Sequence, residues 1–213
     1  MPANEDTRDR LLDAAQELFA TNGSWTTPLA RVVRAAGQRN QSAIHYHFGT
    51  REELIYALIE RDRARELQER QAHLDRLDAA AAGDSDLRAA VASLVLPSCA
   101  GLTEQRGRRL RMIIADVVRG IGDDQLADPR PPDLARSIRL VEAAMPPMPG
   151  RVRTTRIAAA MRLLVEMTAA RARTIEAGKR PLVGTRAFER DLLEMVHNLL
   201  SAPRPEPPST RSP

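Results

Sequence analysis

Apolar residues recur at helical spacing through nearly the whole of this chain, and no segment of useful length alternates apolar and polar residues as a half-buried strand does. Leu11, Leu12, Ala14, Ala15, Leu18 and Phe19 form one buried helix face, which Asn22-Gly23 ends. Thr27-Pro28 reads as an N-cap followed by proline at the first helical position, where a missing N–H costs nothing. Leu29, Val32 and Val33 supply the apolar side of a short second helix that stops at Gly37, a residue suited to a left-handed C′ position. The polar stretch Gln38 to Gln41 leads into a third short helix ending near Phe48-Gly49. Thr50-Arg51-Glu52-Glu53 matches a capping box, with Thr50 as the N-cap and Glu53 three residues on. Further helices are expected near 51–80, 85–104 with a kink at Pro97, 107–120, 131–145, 151–177 and 186–201. The fold class is all-α, with about nine helices: a three-helix helix-turn-helix domain followed by a helical bundle.

Composition narrows the function. The single cysteine, Cys99, excludes an intramolecular disulfide framework and a multi-cysteine zinc site. No apolar run approaches the roughly 18–20 residues of a membrane span, and no hydrophobic signal core opens the chain, so a soluble cytoplasmic protein is expected. The formal net charge of +4 says little about partners, but its placement says more. Between Glu17 and Glu52 there is no acidic residue, while Arg31, Arg34, Arg39 and Arg51 all fall there, a patch suited to neutralising phosphates. Phe19, Trp25, Tyr46, Phe48 and Tyr56 also lie in the first 56 residues, with only Phe188 beyond, as for a compact aromatic-cored unit. The chain is therefore divided at 1–60, 61–201 and 202–213, the last a proline-rich disordered tail.

The run from Thr27 through Ala35-Ala36-Gly37, then Ala43-Ile44-His45-Tyr46-His47-Phe48-Gly49-Thr50-Arg51-Glu52-Glu53-Leu54, resembles the TetR family of bacterial repressors. The likeness covers about residues 8–60. Four departures stand out: Val32-Val33 replaces an Ile-Ala pair, the turn before Phe48 is one residue longer, His45 falls where the family usually has tyrosine, with Tyr46 shifted by one, and Arg51 replaces a lysine. The resemblance implies a homodimer that binds a double-stranded DNA operator and answers to a small-molecule effector.

Arg39, Asn40 and Gln41 are the expected base readers, because arginine can bond guanine bidentately and Asn or Gln can bond adenine. Ser42 is either a cap or a contact, and His45, Tyr46 and His47 lie on the same recognition helix, with His45 and Tyr46 assigned to phosphates. Thr27 and Arg51 open two helices, where free N–H groups favour a phosphate. Trp25 and Phe48 are assigned to the core. His45 and His47 point about 200° apart on a helix and cannot share one metal. Glu194-Met195-Val196-His197 is a single Glu-x-x-His with no second copy, and Arg106, Arg108, Arg109 and Arg111 read as a surface cluster. No catalytic residue, metal or cofactor is expected.

In the C-terminal part, Ile157, Met161, Leu164, Val165 and Thr168 with Leu192, Leu193, Val196, Leu199 and Leu200 are expected to form a two-fold dimer interface. Met112, Ile113, Val117, Met145, Met161 and Met167 are expected to line an effector cavity. The reading is a homodimeric repressor without enzymatic activity. The alternative is a helical sensor or scaffold that lacks sequence-specific DNA binding.

Overall fold

The computed structural model describes residues 2–40, 42–79, 86–127 and 131–203, and no strand occurs among them. Of the expected tail, everything beyond Pro203 lies outside the described residues. The N-terminal unit consists of α1 (Pro2–Asn22), α2 (Leu29–Ala35), α3 (Ala43–Phe48) and α4 (Arg51–Asp62). After it come α5 (Ala64–Ala79), α6 (Leu87–Ala100), a 3-10 turn (Gly101–Thr103) and α7 (Gln105–Val118). The chain closes with α8 (Asp123–Ala127), α9 (Pro132–Ala144), α10 (Gly150–Glu176) and α11 (Thr185–Ser201).

Eleven α-helices among the described residues exceed the expected nine for two reasons. The helix expected over 51–80 is broken at Arg63 (φ −88°, ψ 4°), where neither Gly nor Pro marks the sequence. The two halves pack on different partners, α4 on α1 and α7, α5 on α6 and α9. Arg63 stands at the joint, bonding Glu60 at 3.1 Å and Asp133 of α9. The other addition, α8, is too short to show a period, and Arg162 ties it down through the Ile121 carbonyl (2.8 Å) and Asp123 (3.0 Å). Pro97 lies inside α6, which runs on to Ala100 before tightening into the 3-10 turn.

Two large apolar cores result, with a small third cluster of Ala115, Val165 and Ala169 between α7 and α10. Leu11, Leu12 and Phe19 of α1 pack with Val32, Val33, Ile44, Phe48, Leu54 and Leu58 in the N-terminal unit. The other core joins α6, α9, α10 and α11. α7 serves both: Leu110 and Ile113 complete the N-terminal core, while Met112 faces the C-terminal one. Burying a residue such as Ile113 contributes roughly 1.5–3 kcal/mol, so residues 1–60 do not close their own core. Asp116 of α7 adds a polar tie, accepting from the Ser24 backbone N–H at 2.6 Å.

A buried ion cluster joins the helices around α5. The almost fully buried Arg70 donates to Asp133 (3.0 Å), the Ser93 carbonyl (2.8 Å) and Glu66. Arg111 of α7 bonds the other oxygen of Glu66. The basic run 106–111 is paired with acids of other helices: Arg106, itself exposed, reaches Asp13 at 2.8 Å, Arg108 reaches Glu176 at 2.6 Å, and Arg111 is buried. Periodicity carries no information about these distant acids.

Candidate nucleic-acid interface

The helix-turn-helix geometry is built by local capping. Gly37 adopts φ +70° after α2, and its N–H and that of Gln38 bond back to the Arg34 and Val33 carbonyls (both 3.0 Å). Ahead of α3, the Asn40 Oδ1 accepts the Ser42 N–H at 2.9 Å. α3 buries Ala43, Ile44 and Phe48 and exposes Ser42, His45 and Tyr46, an i, i+3, i+4 stripe facing away from the core. Tyr46 projects furthest, at 75% exposure. Thr50 then caps α4 by accepting the Glu53 N–H at 3.1 Å, the expected half of the capping box.

The expected site residues divide. Arg39, Asn40, Ser42, His45 and Tyr46 gather on this exposed surface, with the half-buried His47 ring edge-on to Tyr46 at 5.0 Å. Gln41 lies outside the described residues. Thr27 does not join them. It is buried, and both its N–H and its hydroxyl donate to the Gly23 carbonyl (3.2 and 2.7 Å), so it caps the end of α1 and has no donor left for a phosphate. Pro28, not Thr27, occupies the N-cap position of α2. Arg51 is half-buried, donating to the Ser24 carbonyl at 2.7 Å with its guanidinium 6.0 Å from the Phe19 ring centroid, which fixes the α1–α2 turn. Phe48 is core as expected, but Trp25 is 45% exposed.

Sequence reasoning passed over Arg8. Its guanidinium sits 5.2 Å from the Phe48 ring centroid, which brings exposed positive charge from α1 beside α3. Arg31 and Arg34 are likewise exposed on α2. The acid-free window signalled these two; nothing local could have signalled Arg8, whose neighbours Asp6 and Asp9 mask it.

The expected effector residues are not brought together. Ile113 and Val117 pack on the N-terminal core, whereas Met112, Met145, Met161 and Met167 pack on the C-terminal one. The apolar cavity beside Met161, Leu94 and Val141 measures about 10 Å³, the space of about one water. Larger spaces, with charged side chains in their lining, flank α7. One of about 500 Å³ separates it from α1 and α2 near Arg10, Glu17 and Arg109; another of about 240 Å³ separates it from α4 and α5 near Asp62, Glu66 and Arg111. Cys99 is core, and burial pushes its thiol up to about 12.

The expected dimer residues are also turned inward. Ile157, Met161, Leu164, Val165, Thr168, Leu192, Leu193, Val196 and Leu200 are buried within a single chain, and Leu199 is half-buried, so all but Leu199 are closed to a partner. The outward face of α10 carries Ala159, Leu163, Met167 and Ala170 in a stripe, and α11 adds Met195 and Leu199.

Residues 11–58 match the family model of bacterial regulatory proteins of the tetR family, and the match spans the whole of this helix-turn-helix surface. Residues 11–58 are thus of the tetR type. Two crystal structures of NalD, the secondary repressor of the MexAB-OprM multidrug efflux pump in Pseudomonas aeruginosa, share the fold along almost the entire chain. The native form is 20% identical over 93% of this chain and 98% of that one, with a TM-score of 0.60. The other is 21% identical over the same shares, with a TM-score of 0.54. No curated protein sequence matches the chain. No described helix is long and apolar enough to cross a membrane, and no group of three or more metal-ligating side chains occurs among the described residues.

Proposed function

We propose that this TetR-family protein is a ligand-responsive transcriptional repressor, without enzymatic activity, that binds a two-fold symmetric double-stranded DNA operator as a homodimer. The observation that carries the reading is the exposed stripe Ser42, His45 and Tyr46 on α3, flanked by Arg8, Arg31, Arg34 and Arg39 with no acid between Glu17 and Glu52. Arg39 approaches base edges, while Tyr46 bonds a phosphate and Arg31 and Arg34 neutralise others. Met195, Leu163 and their neighbours on α10 and α11 form the two-fold contact. That contact sets the two α3 helices about 34–36 Å apart, in successive major grooves.

α7 supports the ligand response, because one rigid helix completes the N-terminal core and packs on α10. An effector that favours a wider-spaced dimer displaces α7 and releases DNA by population shift. The 10 Å³ apolar cavity leaves the effector two routes: opening the C-terminal core or entering the charge-lined spaces beside α7.

The test is selection of bound duplexes from a random DNA pool at near-physiological salt, followed by light scattering of the free protein. A recovered palindrome and a dimer mass are expected, with Arg39→Ala relaxing base preference. Recovery of only salt-labile, unrelated sequences moves the reading to a sensor or scaffold.

A further inference from the structure

We infer that His45 reads a base edge as a hydrogen-bond acceptor, and so selects adenine or cytosine at its position in each half-site. The inference rests on the DNA-binding reading above and assigns His45 a polarity that reading leaves open. It also replaces the phosphate role that the sequence suggests for this residue.

The deciding contact is internal. Nδ1 of His45 lies 2.9 Å from the Gly49 carbonyl oxygen. A carbonyl oxygen only accepts, so Nδ1 carries the hydrogen of that bond. In the neutral imidazole the other nitrogen, Nε2, is then a bare lone pair. Gly49 closes the loop from its side, donating its N–H to the His45 carbonyl at 3.0 Å. Its φ of +79° is a conformation that glycine adopts readily and side-chain-bearing residues rarely do. The imidazole is thus strapped across the last turn of α3 with its tautomer chosen, while the residue itself stays exposed.

A phosphate offers only acceptor oxygens, so a lone pair at Nε2 has nothing to bond there. The major-groove edges of guanine and thymine present acceptors (N7 and O6, and O4). Donors come from the N6 amino group of adenine and the N4 amino group of cytosine. His45 is the third residue of α3, in the half of a recognition helix that reaches base edges.

The experiment has two arms at pH 8. Duplex selection is run with the wild-type protein, His45→Ala and His45→Gln. Binding is then measured to operators in which the implicated adenine is replaced by purine, or the cytosine by 2-pyrimidinone, deleting only the exocyclic amino group. The wild type is expected to lose about 3- to 10-fold in affinity on that deletion. His45→Ala is expected to be indifferent to it, and its selected motif to lose the adenine or cytosine preference at that one position in each half-site. His45→Gln, whose amide pairs bidentately with adenine, is expected to prefer adenine there.

The analogue arm needs no variant, so a poorly folded mutant does not blunt it. A guanine or thymine at the position that His45→Ala alters overturns the inference. So does an unchanged wild-type affinity for the analogue duplexes, or an equal loss across all sequences in His45→Ala. In those cases the palindrome survives and DNA recognition stands. If the wild type selects no motif, DNA recognition itself fails and the inference goes with it.

Discussion

Replacing Gly107 with alanine sets two effects of opposite sign against each other. Gly107 is the third residue of α7, and alanine in a helix is favoured over glycine by up to about 1 kcal/mol. A Cβ built there, however, lies 2.0 Å from the Gly101 carbonyl oxygen, 2.7 Å from its carbonyl carbon and 2.9 Å from its Cα. All three are backbone atoms of the 3-10 turn, so no side chain can swing away. Restoring ordinary contact at 3.4 Å means opening the turn from α7 by about 1.4 Å, the difference between 3.4 and 2.0. That movement breaks the bonds from Arg108 to the Leu102 and Thr103 carbonyls (each 3.2 Å) and strains the Gln16 bond to the Arg106 carbonyl (3.2 Å). Three bonds at about 0.5–1.5 kcal/mol each outweigh the propensity gain. The expected net loss is about 1–3 kcal/mol, seen as a fall in Tm of several degrees for a chain of this size. Gly150→Ala is the control, since nothing lies within 4 Å of a Cβ there, and its Tm should hold or rise slightly. A Tm for Gly107→Ala at or above wild type would falsify the close approach of the turn to α7.

Three further outcomes follow from the packing. Burial pushes the Glu66 carboxyl up, but the Arg111 and Arg70 guanidiniums outweigh it and hold the group below the usual carboxylate range. A depressed folded-state value means stability that is present above the unfolded value and lost as pH falls through the folded one. Glu66→Gln should therefore lower stability at pH 7 by about 3–5 kcal/mol and flatten the acid side of a denaturation-versus-pH curve; an unchanged acid limb would refute this. Ile113→Ala should cost about 2–5 kcal/mol and reduce DNA affinity although it lies far from residues 1–60 in sequence, as chemical denaturation and duplex binding would show. Met195→Arg should dissociate the dimer in light scattering while barely changing monomer stability, whereas Val196→Ala, buried one residue on, should lower stability without first separating subunits.

How much of the interface was legible depends on the range of the interaction concerned. Thr50 caps α4 and Gly37 ends α2 through bonds that span five residues or fewer, so short-range rules find them. Thr27 obeys the same rules on paper, yet its hydroxyl turns back to Gly23 because burial leaves that carbonyl as its nearest acceptor. Arg51 looked like a phosphate contact by position, but it spends its fork on Ser24, 27 residues away.

The sequence by itself determined the all-helical class and the position of the helix-turn-helix unit. Each of these follows from periodicity, capping residues and charge spacing, which are local properties of the chain. Only the tertiary structure decided that α7 completes the N-terminal core, that the helix after Asp62 breaks at Arg63, that the apolar faces of α10 and α11 turn inward, and that the Gly49 carbonyl is the partner of His45 Nδ1. A helical pattern states that a face is apolar without stating what covers it. A titratable or hydrogen-bonding side chain likewise has no defined role until folding presents its partner: Asp133 for Arg63, 70 residues on, and the Gly49 carbonyl for His45 once φ at Gly49 has turned it inward.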